Sequence, residues 1–298
     1  MKGTALVIIF FVNVLCGRAQ DKDSLKVEKV NKAENIIVPW FVERFKISAG
    51  GFYVINKTNI QVGINGNDAT PIDGEKDLGL NKEVVTFLAN LQWQISRRSR
   101  VTLNYYNVRR SSTHILQKDI TFDDNTYPAN SSVYSYFNTA IYQFSYGYAI
   151  LSKPAYEAGI FIGTHIVGAN SGISLNSMSS GSSVSNNFGF TAPLPDIGLW
   201  GGYATSNRFA MNADISYFAL SANHNTGKLL AFNLAFTYRL VKKLDLSLGY
   251  SGLDFKVNTT KNDVTGLFKW GYNGPVLAVN FSFGKNNWSH PLIKPQTL

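Results

Sequence analysis

Hydrophobic and polar residues alternate along the segment from Tyr142 to His165. Before a Lys-Pro pair, every second position from Tyr142 to Ile150 is aromatic or aliphatic, and most positions between them are small or polar. A period of two residues is typical of a β-strand, so the segment predicts two strands joined by a tight turn. After the pair the alternation resumes, with Tyr156, Ala158, Ile160 and Ile162 against Glu157, Gly159, Phe161, Gly163 and His165.

The same alternation recurs along most of the chain after residue 43. Runs of this kind, separated by polar or turn-forming residues, are the sequence pattern of strands. We therefore predict ten strands, over residues 44–65, 83–96, 100–122, 131–151, 155–173, 187–204, 208–222, 228–240, 244–257 and 264–283.

The connections between these strands alternate between short and long. Outer-membrane barrels have tight periplasmic turns at one end and longer extracellular loops at the other. The pattern therefore predicts an all-β fold, an antiparallel up-and-down transmembrane β-barrel of ten strands with both ends on the periplasmic side. The short connections are 97–99, 152–154, 205–207 and 241–243, and the longer ones are 66–82, 123–130, 174–186, 223–227 and 258–263.

The polar face of the strands differs from the surface of a soluble β-protein, because it carries small residues and few charges. We predict that the aromatic and aliphatic rows face lipid and that the small polar rows face a crowded lumen. Aromatic residues near the ends of the rows, such as Trp93 and Tyr250, predict interfacial girdles. A soluble β-barrel is the alternative fold.

One turn gives a prediction of strand register. Arg239 and Asp245 flank the turn "VKK", and both fall on the lumen row. Because Leu240 and Leu244 both fall on the lipid row, a three-residue turn that pairs them places Arg239 directly opposite Asp245. Directly opposed side chains lie within reach of a salt bridge.

Composition and charge agree with a membrane barrel. Charged residues make up 16% of the 298 residues, below the roughly 25% usual for soluble domains. The net charge is +9, but the basic residues are scattered, without the basic modules of nucleic-acid-binding proteins. We therefore expect contacts with anionic lipid and no nucleic-acid partner.

Four segments are predicted along the chain. Residues 1–19 contain one early cation, an apolar run and small residues before the cleavage position, which is typical of a secretory signal peptide. Its Cys16 is the only cysteine of the chain. Residues 20–42 are predicted to form a loose periplasmic leader, 43–284 the transmembrane barrel and 285–298 a C-terminal tail. Together these segments predict export to the cell outer membrane.

Two stretches resemble Gram-negative outer-membrane β-barrel proteins. The segment "GPVLAVNFSF" at 274–283 resembles the closing strand that the barrel-assembly machinery reads, although this chain continues past Phe283 to Leu298. The segment "APLPDIGLWGGYAT" at 192–205 is similar to a stretch of uncharacterised, porin-like barrels. The resemblance implies outer-membrane lipid and lipopolysaccharide as surroundings and the assembly machinery as a partner during biogenesis. It implies no specific activity and leaves the oligomeric state open.

Several charged residues fall on the rows predicted to face the lumen. Buried charges need a partner or water, so these residues predict either a network that holds a narrow barrel shut or a selectivity ring in a small pore. Ten strands leave too little room for a wide diffusion pore. The candidate lumen residues are Lys46, Arg100, Glu157, Asp196, Asp214, Arg239 and Asp245.

Catalytic and metal sites are not predicted. Some ten-stranded outer-membrane barrels resemble proteases with Asp and His at the extracellular rim, where Asp119, His224 and Asp263 would lie. However, the sequence has no closely spaced His/Asp pair, no nucleophile elbow and no metal-binding spacing. We therefore expect a non-catalytic barrel of structural, sensing or narrow-pore type, without cofactor or metal. The alternatives are a small-solute transporter or channel, and a surface ligand-binding or adhesion protein that uses its extracellular loops.

Overall fold

The computed structural model describes residues 39–64, 71–122, 125–176, 183–222, 225–261 and 264–284 of the chain. The predicted signal peptide at 1–19, residues 20–38 of the predicted leader and the predicted tail at 285–298 lie outside the described residues. So do His224 and Asp263 of the suggested rim. The described ranges comprise the barrel and the few residues that precede its first strand.

The described residues form β-strands, turns and short irregular segments. No helix among them is long and apolar enough to cross a bilayer. The strands are β1 (Phe45–Ile64), β2 (Ile72–Asp73), β3 (Glu83–Gln94), β4 (Ser99–Ile115), β5 (Ile120–Phe122), β6 (Asn125–Tyr127), β7 (Ser132–Ser152), β8 (Tyr156–Asn176), β9 (Ser183–Ala204), β10 (Phe209–Ala222), β11 (Asn225–Val241), β12 (Leu244–Lys261) and β13 (Val264–Phe283).

Ten of these strands form one closed antiparallel ring. Their order is β1-β3-β4-β7-β8-β9-β10-β11-β12-β13, and β13 pairs back onto β1. Each strand pairs with the next long strand along the chain, so the topology is up-and-down. The predicted ten-stranded antiparallel barrel is therefore confirmed, and its closure leaves the ring without a free edge.

Most barrel strands are longer than a bilayer requires. β7 and β8 have 21 residues each and β9 has 22, whereas a tilted strand crosses a bilayer with about 9–11 residues. Part of the predicted connection 174–186 is therefore strand, because β8 ends at Asn176 and β9 begins at Ser183. Since the outward apolar rows lie next to the short turns, the extra length lies at the end of the long connections.

The prediction of a single strand over 100–122 is wrong beyond Ile115. β4 ends there, and β5 and β6 form a separate two-stranded hairpin. Leu116, Ile120 and Tyr127 in this segment are buried. The apolar residues of the segment therefore pack inward over the end of the barrel instead of extending its wall.

The predicted inward and outward faces are confirmed next to the short turns. Phe144 and Leu248 of the predicted lipid rows are 49% and 59% exposed, whereas Glu157 and Phe161 of the opposite rows are buried. Large apolar side chains on the outside of a ring whose inside is polar are the pattern of a transmembrane barrel.

The turn between β11 and β12 differs from the prediction in one respect. Arg239 pairs with Asp245 as predicted, but Val241 pairs with Leu244, so the turn has two residues instead of three. The register shifts between Arg239 and Val241, which leaves Leu240 as an extra residue. Such a β-bulge lets one strand carry one residue more than its partner without moving the flanking side chains to the wrong face.

The hydrophobic core lies inside the ring, at the end of the long connections. Inward side chains of the barrel strands form it together with the segment around β2 and the β5–β6 hairpin. Val54, Phe255 and Trp270 are fully buried there. The prediction of a small polar inward face is therefore wrong for this half of the barrel, because the inward positions become large and apolar.

Candidate functional site in the barrel lumen

The lumen has two parts with different linings. The lower lumen lies next to the short turns and contains the seven predicted charged residues. The upper lumen lies next to the long connections and is lined by apolar residues, including Phe52, Val54, Phe137 and Trp270. Six of the seven candidate residues fall into three separate groups of contacts, and Lys46 lies outside these groups.

The first group surrounds Arg239 at the turn between β11 and β12. Its Nε lies 3.1 Å from Oδ1 of the buried Asp245. Its Nη2 donates a hydrogen bond of 2.9 Å to the carbonyl oxygen of Trp40, and its guanidinium lies 4.2 Å from the centre of the Trp40 ring. Glu43 adds a second carboxylate at 3.6 Å. Burial raises the pKa of the Glu43 carboxyl above its ordinary value of 4.5, and Arg239 opposes that rise.

The residues that precede β1 dock against this group. Trp40 donates a hydrogen bond of 2.8 Å from Nε1 to the carbonyl oxygen of Ser206. Phe41 and Val42 are buried in one cluster with Ala210. Residues 39–42 were part of the predicted loose leader, yet they pack against the inward side of β9, β10 and β11. This docked segment lies against the inner wall at the short-turn end.

The second group joins β4, β8 and β9. Glu157 is buried and forms an ion pair with Arg97. This partner was not among the predicted lumen residues, because Arg97 lies in the short connection 97–99 and not on a strand row. Arg100 lies over the ring of Trp200, with its guanidinium carbon 3.4 Å from the ring centre. Since β4 and β9 are three places apart in the ring, this cation–π contact crosses the lumen.

The third group lies further from the short turns, on β8, β9, β10 and β11. Nδ1 of His165 lies 3.4 Å from Oδ2 of Asp196, and both side chains are buried. Asp214 accepts a hydrogen bond of 3.3 Å from Nδ2 of Asn233, and it interacts electrostatically with His165, Asp196 and Arg100. The third group therefore places one imidazole and two carboxyl groups in the same part of the lumen.

The His165–Asp196 pair was also missed from the sequence. The two residues are far apart along the chain, and a search for closely spaced His and Asp does not find them. They meet because Asp196 pairs directly with Gly163 across β8 and β9, which places His165 on the adjacent diagonal. The correct register of the β8–β9 hairpin would place the two residues together. The predicted ends of these strands did not determine that register.

Lys46 belongs to none of these groups by direct contact. It is attracted by Asp245 and repelled by Arg100, so it joins the first two groups only through longer-range electrostatics. Among the described residues, no group of three or more His, Cys, Asp or Glu side chains has a metal-binding arrangement.

Aromatic side chains cross the upper lumen. The rings of Phe137 on β7 and Trp270 on β13 lie 5.9 Å apart between centres, although the two strands are four places apart in a ring of ten. Tyr106 on β4 contacts Tyr272 on β13 through their hydroxyl groups, and Phe52 packs edge-on against both rings. These contacts join strands that are not neighbours in the ring and so cross part of the lumen.

Two long connections fold inward above the aromatic layer. Leu78 and Leu80 are buried in the core, and Glu75 forms an ion pair of 2.6 Å with the buried Arg110. Arg110 also donates a hydrogen bond of 2.5 Å to Oγ1 of Thr58. Glu75, in the connection between β1 and β3, therefore anchors that connection to the wall strand β4.

Comparisons with known proteins give a fold but no sequence family. No family model matches the sequence, and no curated protein matches it either. Among solved structures, the outer membrane protease OmpT of Escherichia coli superimposes with a TM-score of 0.54 at 10% identity, over 80% of this chain and 96% of that one. This chain folds as an outer-membrane β-barrel.

Two further outer-membrane barrels are similar at lower TM-scores. The toluene transporter TodX of P. putida matches at 0.33 with 9% identity, over 86% of this barrel chain and 95% of that chain. Ail, the attachment invasion locus protein of Yersinia pestis, matches at 0.32 with 11% identity, over 80% of this chain and 99% of that one.

The comparison with OmpT corrects the expectation that this outer-membrane barrel is not an enzyme. That expectation was wrong, because a barrel of the same fold is a protease. It rested on the absence from the sequence of a closely spaced His/Asp pair, a nucleophile elbow and a metal-binding spacing.

Proposed function

We propose that the protein is a closed outer-membrane barrel of structural type, which anchors a rigid extracellular end in the membrane. The observation that carries this proposal is the contact between Phe137 and Trp270, whose ring centres lie 5.9 Å apart across the upper lumen. A contact between side chains of strands four places apart in a ring of ten supports closure of the lumen at this level.

The inward-folded connections support a rigid upper end. The Glu75–Arg110 ion pair involves a fully buried Arg110 side chain, and removing Glu75 would leave that charge buried without its partner. Lys118, at the start of the β5–β6 hairpin, pairs with Asp77 at 2.9 Å. The two connections are therefore tied to the wall and to each other.

The docked segment supports closure at the other end. Trp40 is fixed by a hydrogen bond to Ser206 and by the guanidinium of Arg239, and the Arg100–Trp200 contact crosses the lumen above it. A solute that entered from the short-turn side would have to displace both arrangements.

Conductance of the refolded protein in a planar bilayer tests the proposal. We expect wild type to show no single-channel steps, with folding checked independently by heat-modifiable migration. Phe137→Ala combined with Trp270→Ala removes the aromatic contact across the upper lumen, whereas Trp93→Ala removes an outward ring that is 40% exposed. Regular conductance steps from folded wild type would overturn the closed-barrel proposal.

A gated narrow pore for a small solute is the second candidate. The lower lumen favours it, because a purely structural barrel does not require the buried His165 and Asp196 beside the half-buried Asp214. Opening would require the docked segment to leave. Liposome swelling with small sugars and amino acids separates the two candidates. A gated pore predicts faster swelling for Trp40→Ala than for wild type, whereas a barrel closed by the upper aromatic layer predicts no change.

A further inference from the structure

Three lysines on the outer wall lie at the same height on adjacent strands. Lys228 on β11 pairs directly with Lys256 on β12, and Lys256 pairs directly with Lys269 on β13. We call these three residues the lysine row. Their neighbours along the strands, Leu229, Phe255 and Trp270, are buried in the core. Because successive side chains of a strand point to opposite faces, the three lysines point outward.

Direct opposition of like charges is unfavourable between strands. None of the ion pairs found among the described residues includes a lysine of the row. Asp254 lies two residues before Lys256 on the same face of β12 and is exposed. One carboxylate therefore lies beside three ammonium groups. Lys57 on β1 adds a fourth cation. It lies two residues before Asn59, which pairs directly with Lys269, so Lys57 is diagonal to Lys269. The arrangement leaves an excess of positive charge that an external anion would neutralise.

The height of the row indicates what that anion is. Lys256 lies twelve residues along β12 from Leu244, which begins the outward apolar row. At about 3.4 Å per residue and a tilt of about 40°, this corresponds to about 30 Å along the barrel axis, above an apolar band about 25 Å tall. The stacked rings of Phe232 and Tyr250 lie just below the row, as expected for an interfacial girdle.

The opposite wall lacks this concentration of charge. At similar heights, β7 presents Ala140 and Asn138, and β8 presents Gly168 and Asn170. Arg109 on β4 is a single cation paired with Asn138. The cations are therefore confined mainly to the side formed by β11, β12, β13 and β1. A general increase in positive charge for solubility would not produce this one-sided distribution.

We propose that the lysine row is a binding site for the phosphate groups of an anionic glycolipid headgroup in the outer leaflet. The acyl chains of that lipid would lie on the apolar wall below, against Leu234, Leu248 and Leu277, while its phosphates accept hydrogen bonds from the ammonium groups. The site depends on the long connections being extracellular. It does not depend on whether the lumen is closed.

The test compares wild type with the triple variant Lys228→Gln, Lys256→Gln and Lys269→Gln. The matched control is Lys153→Gln, Lys242→Gln and Lys243→Gln, which removes the same charge from exposed positions at the short turns. Each protein is purified in detergent free of lipopolysaccharide and checked for folding by heat-modifiable migration. Native mass spectrometry then measures binding of bisphosphorylated lipid A and of the same lipid without phosphate.

We expect wild type and the control variant to bind bisphosphorylated lipid A at least about tenfold more tightly than the triple variant, since each Lys near an anionic lipid surface contributes measurably to binding. Lipid A without phosphate should bind all three proteins equally. Equal binding of the phosphorylated lipid by wild type and the triple variant would overturn the proposal, as would an equal loss in the control variant.

Inorganic phosphate distinguishes a lipid headgroup from a free anion. We expect millimolar phosphate to leave lipid A binding unchanged. Competition by phosphate at concentrations similar to those of the lipid would instead identify the lysine row as a site for a free anion. Melting temperature gives a second readout. Without lipid, the triple variant should be at least as stable as wild type because the repulsion is gone. Lipid A should stabilise wild type but not the triple variant. Stabilisation of both proteins to the same extent would contradict the proposal.

Discussion

The upper lumen and the lower lumen are formed by the same ten strands, yet their side chains follow opposite rules. Next to the short turns, Leu248 faces outward while Asp245 faces inward. Further along the same strand, Lys256 faces outward while Phe255 faces inward. The pleat continues without a break between them, so the polarity of the two faces is exchanged within one strand.

This exchange shows where the environment of the wall changes. Within a bilayer the outside must be apolar and the inside can be polar, whereas in water the favourable arrangement is a dry interior. The lower part of the barrel therefore follows the rule of a membrane protein, and the upper part follows that of a soluble β-barrel with its own core. The boundary lies near Gly252 on β12, between the aromatic girdle and the lysine row.

The largest expected effect comes from the core of the upper part. Trp270→Ala should lower the free energy of unfolding by about 3–5 kcal/mol, because it removes a fully buried ring and leaves a cavity. Urea unfolding of the refolded protein measures this. Trp93→Ala is the control, since its ring is exposed to lipid. Equal costs for the two substitutions would mean that the upper part has no independent core.

Opposite substitutions on one strand locate the boundary. Leu248→Arg should destabilise the barrel by about 2–4 kcal/mol if the side chain lies near the bilayer midplane. Lys256→Leu, on the same face but above the girdle, should change stability by less than about 0.5 kcal/mol. The free energies of unfolding in lipid vesicles provide the comparison. A cost for Lys256→Leu as large as that for Leu248→Arg would remove the proposed boundary.

The Arg239–Asp245 pair tests the lower part. Arg239→Gln should cost about 1–3 kcal/mol, because Asp245 remains buried without its partner. Arg239→Gln combined with Asp245→Asn should cost about 1 kcal/mol less than that single change, since no unpaired charge remains. Chemical unfolding of the two variants and wild type measures the difference. A double variant that is less stable than the single one would contradict it.

The smallest effect concerns pH and Glu43. Burial raises the folded-state pKa of this carboxyl above 4.5, so the fold favours its protonated form. The corresponding stability is present below pH 4.5 and is lost as the pH rises through the folded-state pKa. Glu43→Gln should remove this dependence. Hydrogen exchange of residues 40–42 between pH 4 and 8 reports it, and identical pH profiles for wild type and the variant would exclude a role for Glu43.

Much of the wall could be predicted from the sequence because strand periodicity is local. The boundaries of β13 and the faces around Tyr142 and Glu157 required only alternation and turn signals. The exchange of faces was also readable, since the apolar residues of β12 move from Leu246 and Leu248 to Leu253 and Phe255. It was missed because the whole barrel was treated as lying within the membrane.

The contacts across the lumen could not be predicted in the same way. Phe137 and Trp270 meet because the ring closes, and Arg100 reaches Trp200 for the same reason. The hairpin of β5 and β6 turns inward because its apolar residues find the core, which is a tertiary effect that overrides a continuous strand pattern. Such partners depend on barrel geometry and strand register, which a single sequence constrains weakly.

The seam between β1 and β13 has a consequence for how the chain reaches its native state. It pairs Phe45 with Phe283 and Ile64 with Val264, so it joins the first and last strands of the barrel. The two strands approach closely there, because a Cβ atom at Gly50 would lie only 2.1 Å from the carbonyl oxygen of Leu277. Such non-local pairing is slow to form, and it cannot begin until synthesis has reached the final strand. Until then both outer strands expose unpaired backbone groups, which are costly in lipid, so membrane insertion and ring closure have to occur together or with another protein holding the open edges.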